Sequence, residues 1–244
     1  MYINTTGLVL RETAYKDSSK ILTVLTSTEG KLTVSARGVM RRSSALAAAA
    51  QPLAYSEMTL FQSRDRWTLT EARTIELFSG LSRDVTLLSL GAYFAELLEA
   101  VSDEDSPNPD ILSLGLNALY LLSTGENNEK RVKAAFETRL LCLAGFEPAV
   151  FSCHVCSRAD VQSPVLDPVG GGVRCRVCGG GEALPLCNAS LEALRYIVSA
   201  DAKKVFSFKL EPEALLRLSR AAESYALAQL GRGFKTLDYY KGLL

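Results

Sequence analysis

GKLTVSARG, residues 30–38, is the stretch on which the fold turns. Its residues alternate. Leu32, Val34 and Ala36 point one way, and Lys31, Thr33, Ser35 and Arg37 point the other, so a strand with one core face is expected. Four more runs read the same way: GLVLRE, SKILTVLTS, SEMTLFQS and RWTLTEARTIELF are rich in Val, Ile, Thr and Leu. Ser63–Arg66 (SRDR) has the makings of a hairpin turn between the last two. Five short strands within residues 1–79, without a long helix between most of them, predict a small closed or nearly closed barrel. RRSSALAAAAQPL, between the third and fourth strands, is read as a short helix ended by Pro52.

Beyond Ser79 the period changes to that of a helix. Leu87, Leu90, Phe94, Leu97, Leu98 and Val101 share one face, and the polar run DEDSPNPD breaks the chain after them. ILSLGLNALYLL reads as a buried helix, apolar on nearly all sides. GENNE is a further break, and KRVKAAFETRLLCLAG is a helix stopped at Gly145. SLEALRYIVSA and EPEALLRLSRAAESYALAQL are two more, the second with Pro212 suited to its first turn. The expected class is multidomain α+β. A five-stranded barrel spans 1–79, and an α-helical domain spans 80–244 with a cysteine module inserted at 150–187.

That module carries Cys153 and Cys156 in FSCHVC, and Cys175 and Cys178 in RCRVCGG. Eighteen residues separate the inner pair, within the range of C-x2-C…C-x2-C zinc sites. Four thiolates complete a tetrahedral zinc site and leave no open position for a substrate, so a structural Zn2+ is expected over a catalytic one. His154 lies between two of the ligands, and no HExxH or HxE occurs. Loss of the metal and redox sensing are the competing readings of the same cysteines. Cys142 is expected in the core, and Cys187 is a weak spare ligand.

The polar side of residues 30–38 offers two cations and two hydroxyls suited to phosphate oxygens. Arg41 and Arg42 extend the stripe, and Arg64 and Arg66 add charge at the hairpin. The candidate nucleic-acid residues are therefore Lys31, Arg37, Arg41, Arg42, Arg64 and Arg66. Arg195, Arg217 and Arg220 form a possible second patch. A merely solvated strand face is the competing reading. No aromatic residue shares the Lys31–Arg37 face in sequence, and Tyr15, Trp67 and Phe78 are expected in the core, so binding through backbone charge is expected.

The chain of 244 residues has no net charge, but the charge is uneven: +3 over 1–79, −6 over 80–152, zero over 153–187 and +3 over 188–244. No run reaches the ~18 apolar residues of a membrane helix. MYINTTGLVLRET lacks the basic and apolar regions of a secretory signal, so a reducing cytoplasm is expected. No GxxxxGK[ST], GxGxxG or GxSxG is present, which points to a protein that binds and does not catalyse.

Two stretches carry a family resemblance. Residues 7–53, from GLVLRE through DSSKIL and TxxxGKLxVSARG to Arg-Arg-Ser-Ser and QPL, resemble the N-terminus of the RecO family of bacterial recombination mediators. LLCLAGFEPAVFSCHVC resembles that family's junction into its zinc module. The resemblance implies an OB-fold barrel, a helical domain able to carry a zinc finger, and a cytoplasmic, nucleoid-associated role without a membrane. It implies binding of single- and double-stranded DNA and annealing of complementary strands. With RecR it implies assistance in loading RecA onto strands coated by single-strand DNA-binding protein, whose C-terminal tail is a further partner, in RecF-pathway repair. Lys31, Arg37, Arg41 and Arg42 match the family's basic stretch, and the four cysteines match its zinc version, which some members lack. ALAAAA departs from the family pattern. No long exposed heptad calls for a dimer, so a monomer is expected. The alternative is a non-catalytic zinc-containing adaptor without DNA binding of its own.

Overall fold

The computed structural model describes residues 1–125, 128–181 and 183–244. Glu126 and Asn127 of GENNE, and Glu182 of CGGGE, lie outside the described residues. The chain divides into two compact units: Met1–Thr124 with Phe234–Leu244, and Gly125–Gly233.

The first unit is built on a closed barrel of β1 (Tyr2–Tyr15), β2 (Ser19–Thr26), β3 (Lys31–Ala36), β4 (Tyr55–Ser63) and β5 (Arg66–Glu76), in the order β1-β2-β3-β5-β4. The alternation of β3 holds: Leu32, Val34 and Ala36 are buried, and they pack with Val9, Leu22, Val24, Met58, Leu60 and Leu69. β1 runs well beyond GLVLRE. It pairs with β4 through Tyr2–Leu8 and with β2 through Gly7–Tyr15, and its register shifts between Val9 and Arg11. Such an irregularity increases bend and twist, which lets one strand serve two neighbours. Gly7 sits where both pairings overlap, and a Cβ there would meet Val24 Cγ1 at 2.6 Å. β3 and β5 close the barrel as a parallel pair, with Val34 opposite Trp67 and Ser35 opposite Thr68.

RRSSALAAAAQPL forms a series of turns rather than the expected helix. Its backbone is recruited by β1: Leu53 N donates to Val9 O at 2.8 Å and Val9 N donates to Ala54 O at 3.0 Å. Ala49 and Ala50 are buried, with Ala50 in the barrel core. Small side chains let this loop lie directly on the barrel, and that packing overrides alanine's helix propensity.

Asp84 caps α1 (Val85–Val101), its Oδ1 accepting from Thr86 N at 2.7 Å. α2 (Pro109–Thr124) buries Ile111, Leu112, Leu114, Ala118, Leu119 and Leu122, but Tyr120 is 56% exposed, so the helix is not enclosed on all sides. The short α6 (Lys235–Lys241), which the sequence reading omitted, packs on α1 and buries Leu237 and Tyr240. The expected division at residue 79 coincides with the change from strand to helix. Packing instead joins α1, α2 and α6 to the barrel. Arg11 bridges Glu99 of α1 at 2.8 Å, and Lys31 donates from Nζ to Glu99 O at 2.8 Å.

The second unit contains α3 (Glu129–Leu143), α4 (Asn188–Ser199) and α5 (Pro212–Leu230). Gly145, at φ 87°, turns the chain out of α3. Between α3 and α4 lies a small sheet in the order β7-β6-β8, of β6 (Val165–Asp167), β7 (Gly172–Arg174) and β8 (Leu184–Pro185). In the core of this unit, Lys133 of α3, 2% exposed, pairs with Glu137 at 2.7 Å and with Glu223 of α5 at 2.8 Å. Among the described residues, no helix is long and apolar enough to cross a membrane.

Candidate nucleic-acid interface and metal centre

Three parts of the chain meet at one end of the barrel. The β1–β2 turn supplies Tyr15 and Lys16, the end of β3 supplies Ser35 and Arg37, and the β4–β5 hairpin supplies Arg66 and Trp67. They line an open groove of about 700 Å3. Two hydrogen bonds hold the first two parts together: Gly38 N donates to Ser19 Oγ at 3.2 Å, and Met40 N donates to Ser18 O at 3.0 Å. Gly38 has φ 65°, the left-handed conformation this bend needs. Arg64, also left-handed at φ 53°, turns the hairpin that carries Arg66.

The candidate cations divide by location. Arg37 and Arg66 line the groove. Arg41, Arg42 and Arg64 are exposed nearby in the chain. None of these five has an ion-pair partner among the described residues. Lys31 lies at the opposite end of β3, and its ammonium is held by the Glu99 carbonyl near the C-terminus of α1. Of the second patch, Arg195 donates to Val150 O at 2.9 Å and pairs with Glu192 at 2.7 Å. Arg217 pairs with Glu213 at 2.7 Å, and Arg220 is exposed. The sequence reading missed Lys16 and placed Tyr15 in the core; Phe78 is buried as expected. Tyr15 is 48% exposed, and Trp67, partly buried against the barrel core, lines the groove. The parallel β3–β5 closure carries Trp67 beside β3, and no local pattern encodes that pairing.

In the second unit the Sγ atoms of Cys153, Cys156, Cys175 and Cys178 all lie within 4.8 Å of one another, a set able to hold a metal ion. Each CxxC folds back on itself: Ser157 N donates to Cys153 O at 2.8 Å and Cys178 N donates to Cys175 O at 3.0 Å. The sheet brings the two turns together, with His154 N donating to Val173 O at 2.9 Å and Cys175 N to Cys153 Sγ at 3.4 Å. His154 stands outside the thiol set; its Nε2 accepts from Arg174 Nε at 3.1 Å and lies 3.3 Å from Asp167. Cys187 is engaged with Ser190 at 3.1 Å, apart from the cluster. Cys142 is partly buried in α3, which pushes its thiol up to about 12.

Family comparisons cover both the barrel and the helical part of the chain. The family described as "Recombination protein O N terminal" matches residues 1–78, and "Recombination protein O C terminal" matches residues 82–238. The chain belongs to the RecO family. It is 33% identical to a DNA repair protein RecO of Caldicellulosiruptor bescii, over 98% of each chain. It is 30% identical to that of Acetivibrio thermocellus over 99% of this chain and 97% of the relative. The protein of Bacillus pumilus is 29% identical over 92% and 88%. Membership places the chain among proteins of DNA repair and recombination.

The cysteine electrostatics of this RecO-family chain also fit a cation. Burial opposes ionisation of Cys153, but N–H groups of Cys156, Cys175 and Val155 outweigh it and bring the thiol down to about 6. Cys175 is lowered first by the Cys178 N–H. Cys178 is pushed up to about 12, chiefly by sharing hydrogen bonds with the neighbouring thiols, Cys156 first. Two sites favour thiolate while the crowding of sulfurs disfavours a further one. A bound metal ion would resolve that conflict.

Proposed function

We propose that this chain is a non-catalytic DNA-binding recombination mediator of RecF-pathway repair. It binds single- and double-stranded DNA, anneals complementary strands, and with RecR assists RecA loading onto DNA coated by single-strand DNA-binding protein, whose C-terminal tail it contacts. It acts as a monomer at the nucleoid. The observation that carries the reading is the groove at the barrel end, where Lys16, Arg37 and Arg66 converge from three parts of the chain. Annealing two polyanions is opposed by their repulsion, and neutralising phosphates releases counterions and draws the strands together without ATP. Arg41, Arg42 and Arg64 are exposed and follow or precede the groove's arginines closely in the chain, and Arg220 is the member of the second patch most open to solvent. The test is annealing of labelled complementary oligonucleotides by the wild type and by a variant with Arg37, Arg41, Arg42 and Arg66 changed to Ala. A loss of at least about tenfold in rate is expected, and a wild-type rate would sink the assignment.

The metal proposed for Cys153, Cys156, Cys175 and Cys178 is Zn2+ in a structural role. At a Zn–S distance of ~2.3 Å, sulfurs on a tetrahedron lie ~3.8 Å apart, and Cys156 Sγ and Cys175 Sγ are 3.8 Å apart. Bound zinc would cross-link the two turns.

One observation favours the adaptor reading. An apolar cleft of about 320 Å3 between α1 and α6 is lined by Val85, Leu88 and Tyr239, all exposed. Absence of DNA binding even at low salt would favour that reading over the mediator.

A further inference from the structure

We propose that the barrel-end groove holds single-stranded DNA by stacking unpaired bases on Trp67 and Tyr15, so that it discriminates single strands from duplex. The inference rests on the groove being a DNA site and specifies which part of the DNA it reads. The two aromatics reach it from different parts of the chain, Tyr15 from the end of β1 and Trp67 from the start of β5. Trp67 packs partly against the barrel core and also lines the groove. That packing fixes an indole with little rotamer freedom left to lose. Tyr15 is about half exposed, and Lys16 Nζ lies 5.3 Å from its ring centre. A cation against the ring leaves the rest of the phenol for a base and places charge within reach of the adjoining phosphate. Thr33, Ser35 and Thr68 add hydroxyls, and Asp65 is the one acid among the lining residues. A surface that bound phosphates alone would have no need of two aromatics among its cations. Every base has a π face, so stacking tolerates sequence, and bases in a duplex already have theirs covered.

Trp67 is the sole tryptophan of the chain and therefore a reporter of its own occupancy. The experiment titrates the full chain at low salt with dye-labelled oligo(dT), with an abasic strand of equal length and charge, and with a duplex. Anisotropy reads binding while tryptophan emission reads stacking. The expected result is quenching of Trp67 by oligo(dT) and none by the abasic strand or duplex. Oligo(dT) should also bind roughly tenfold or more tightly than the abasic strand. Tyr15→Ala should lose about the same factor on oligo(dT) and little on the abasic strand. Trp67→Phe keeps an aromatic ring against the core and should retain most of the affinity, and Trp67→Ala should lose it. Equal binding of oligo(dT) and the abasic strand with unchanged emission would overturn the stacking proposal and leave DNA binding standing. No anisotropy change with any of the three would overturn both.

Discussion

Lys31 begins β3 and Arg37 follows its last residue, and the two cations have different surroundings. The Lys31 ammonium satisfies the carbonyl of Glu99, near the end of α1, where the helix leaves acceptors unpaired and a cation is favoured. Arg37 is exposed and lines the groove. Lys31→Ala should therefore lower thermal stability, by roughly 1.5–3 kcal/mol for a charged hydrogen bond, and leave oligonucleotide affinity nearly unchanged. Arg37→Ala should do the reverse; thermal denaturation and anisotropy on both variants check the pair. Cys153 gives a pH dependence at the same scale. Its thiol is held down at about 6 from an ordinary 9.0. A depressed folded-state value contributes stability that is complete above the ordinary value and lost as pH falls through the folded one. Metal retention runs in the same direction, because protons compete for the thiolates. Zinc release measured with a colorimetric chelator should rise on acidification, with a midpoint below the value of about 6 that the thiol has without metal, because the metal competes with protons for the thiolates; retention independent of pH would count against thiolate ligation.

At the scale of elements, the cysteine module buries few large side chains, Val150, Val161, Leu166, Val173 and Leu186 among them, so a bound metal would add much of its cohesion. β6 and β8 contribute three and two residues, and the two CxxC turns carry exposed Val155 and Val177. Strong chelation should make residues 150–187 sensitive to protease before the barrel is cut, as read by fragment mapping. The α3–α5 contact depends on a different device. Burial lowers the Lys133 pKa, but Glu137 and Glu223 outweigh it and the value ends raised. Replacing Lys133 with Met would leave acidic side chains in the core without their cation. A loss of about 3–5 kcal/mol is expected and is measurable by denaturant unfolding. Most elements were legible from local pattern: β3 from its alternation, α1 from its apolar spacing, and α5 from Pro212 in its first turn. The ALAAAA segment and α6 were not. The first lies in turns against the barrel, with Ala50 in the barrel core and the chain just beyond it anchored to Val9 through Leu53 and Ala54, and the second is seven residues long and gains its burial from α1.

For the whole molecule, a net charge of zero says little about binding, because cations can be gathered locally, as Lys16, Arg37 and Arg66 are along one groove. Affinity for a single strand should fall steeply with salt. On a log–log plot the slope should be about −0.7 per phosphate neutralised. Changing Arg37, Arg41, Arg42 and Arg66 to Ala should flatten that slope as well as weaken binding; a parallel shift without flattening would mean that these arginines do not meet phosphate. The sequence by itself determined most strand and helix runs, the barrel class and the pairing of two CxxC motifs into a four-cysteine set, because each is written in local spacing. Only the tertiary structure decided which cations stay free and which aromatics join them. Barrel closure pairs β3 with a strand some thirty residues later in the chain, and α1 claims Lys31 from some seventy residues away. Contacts at that separation are set by packing of the whole barrel and its helices, which no local period records.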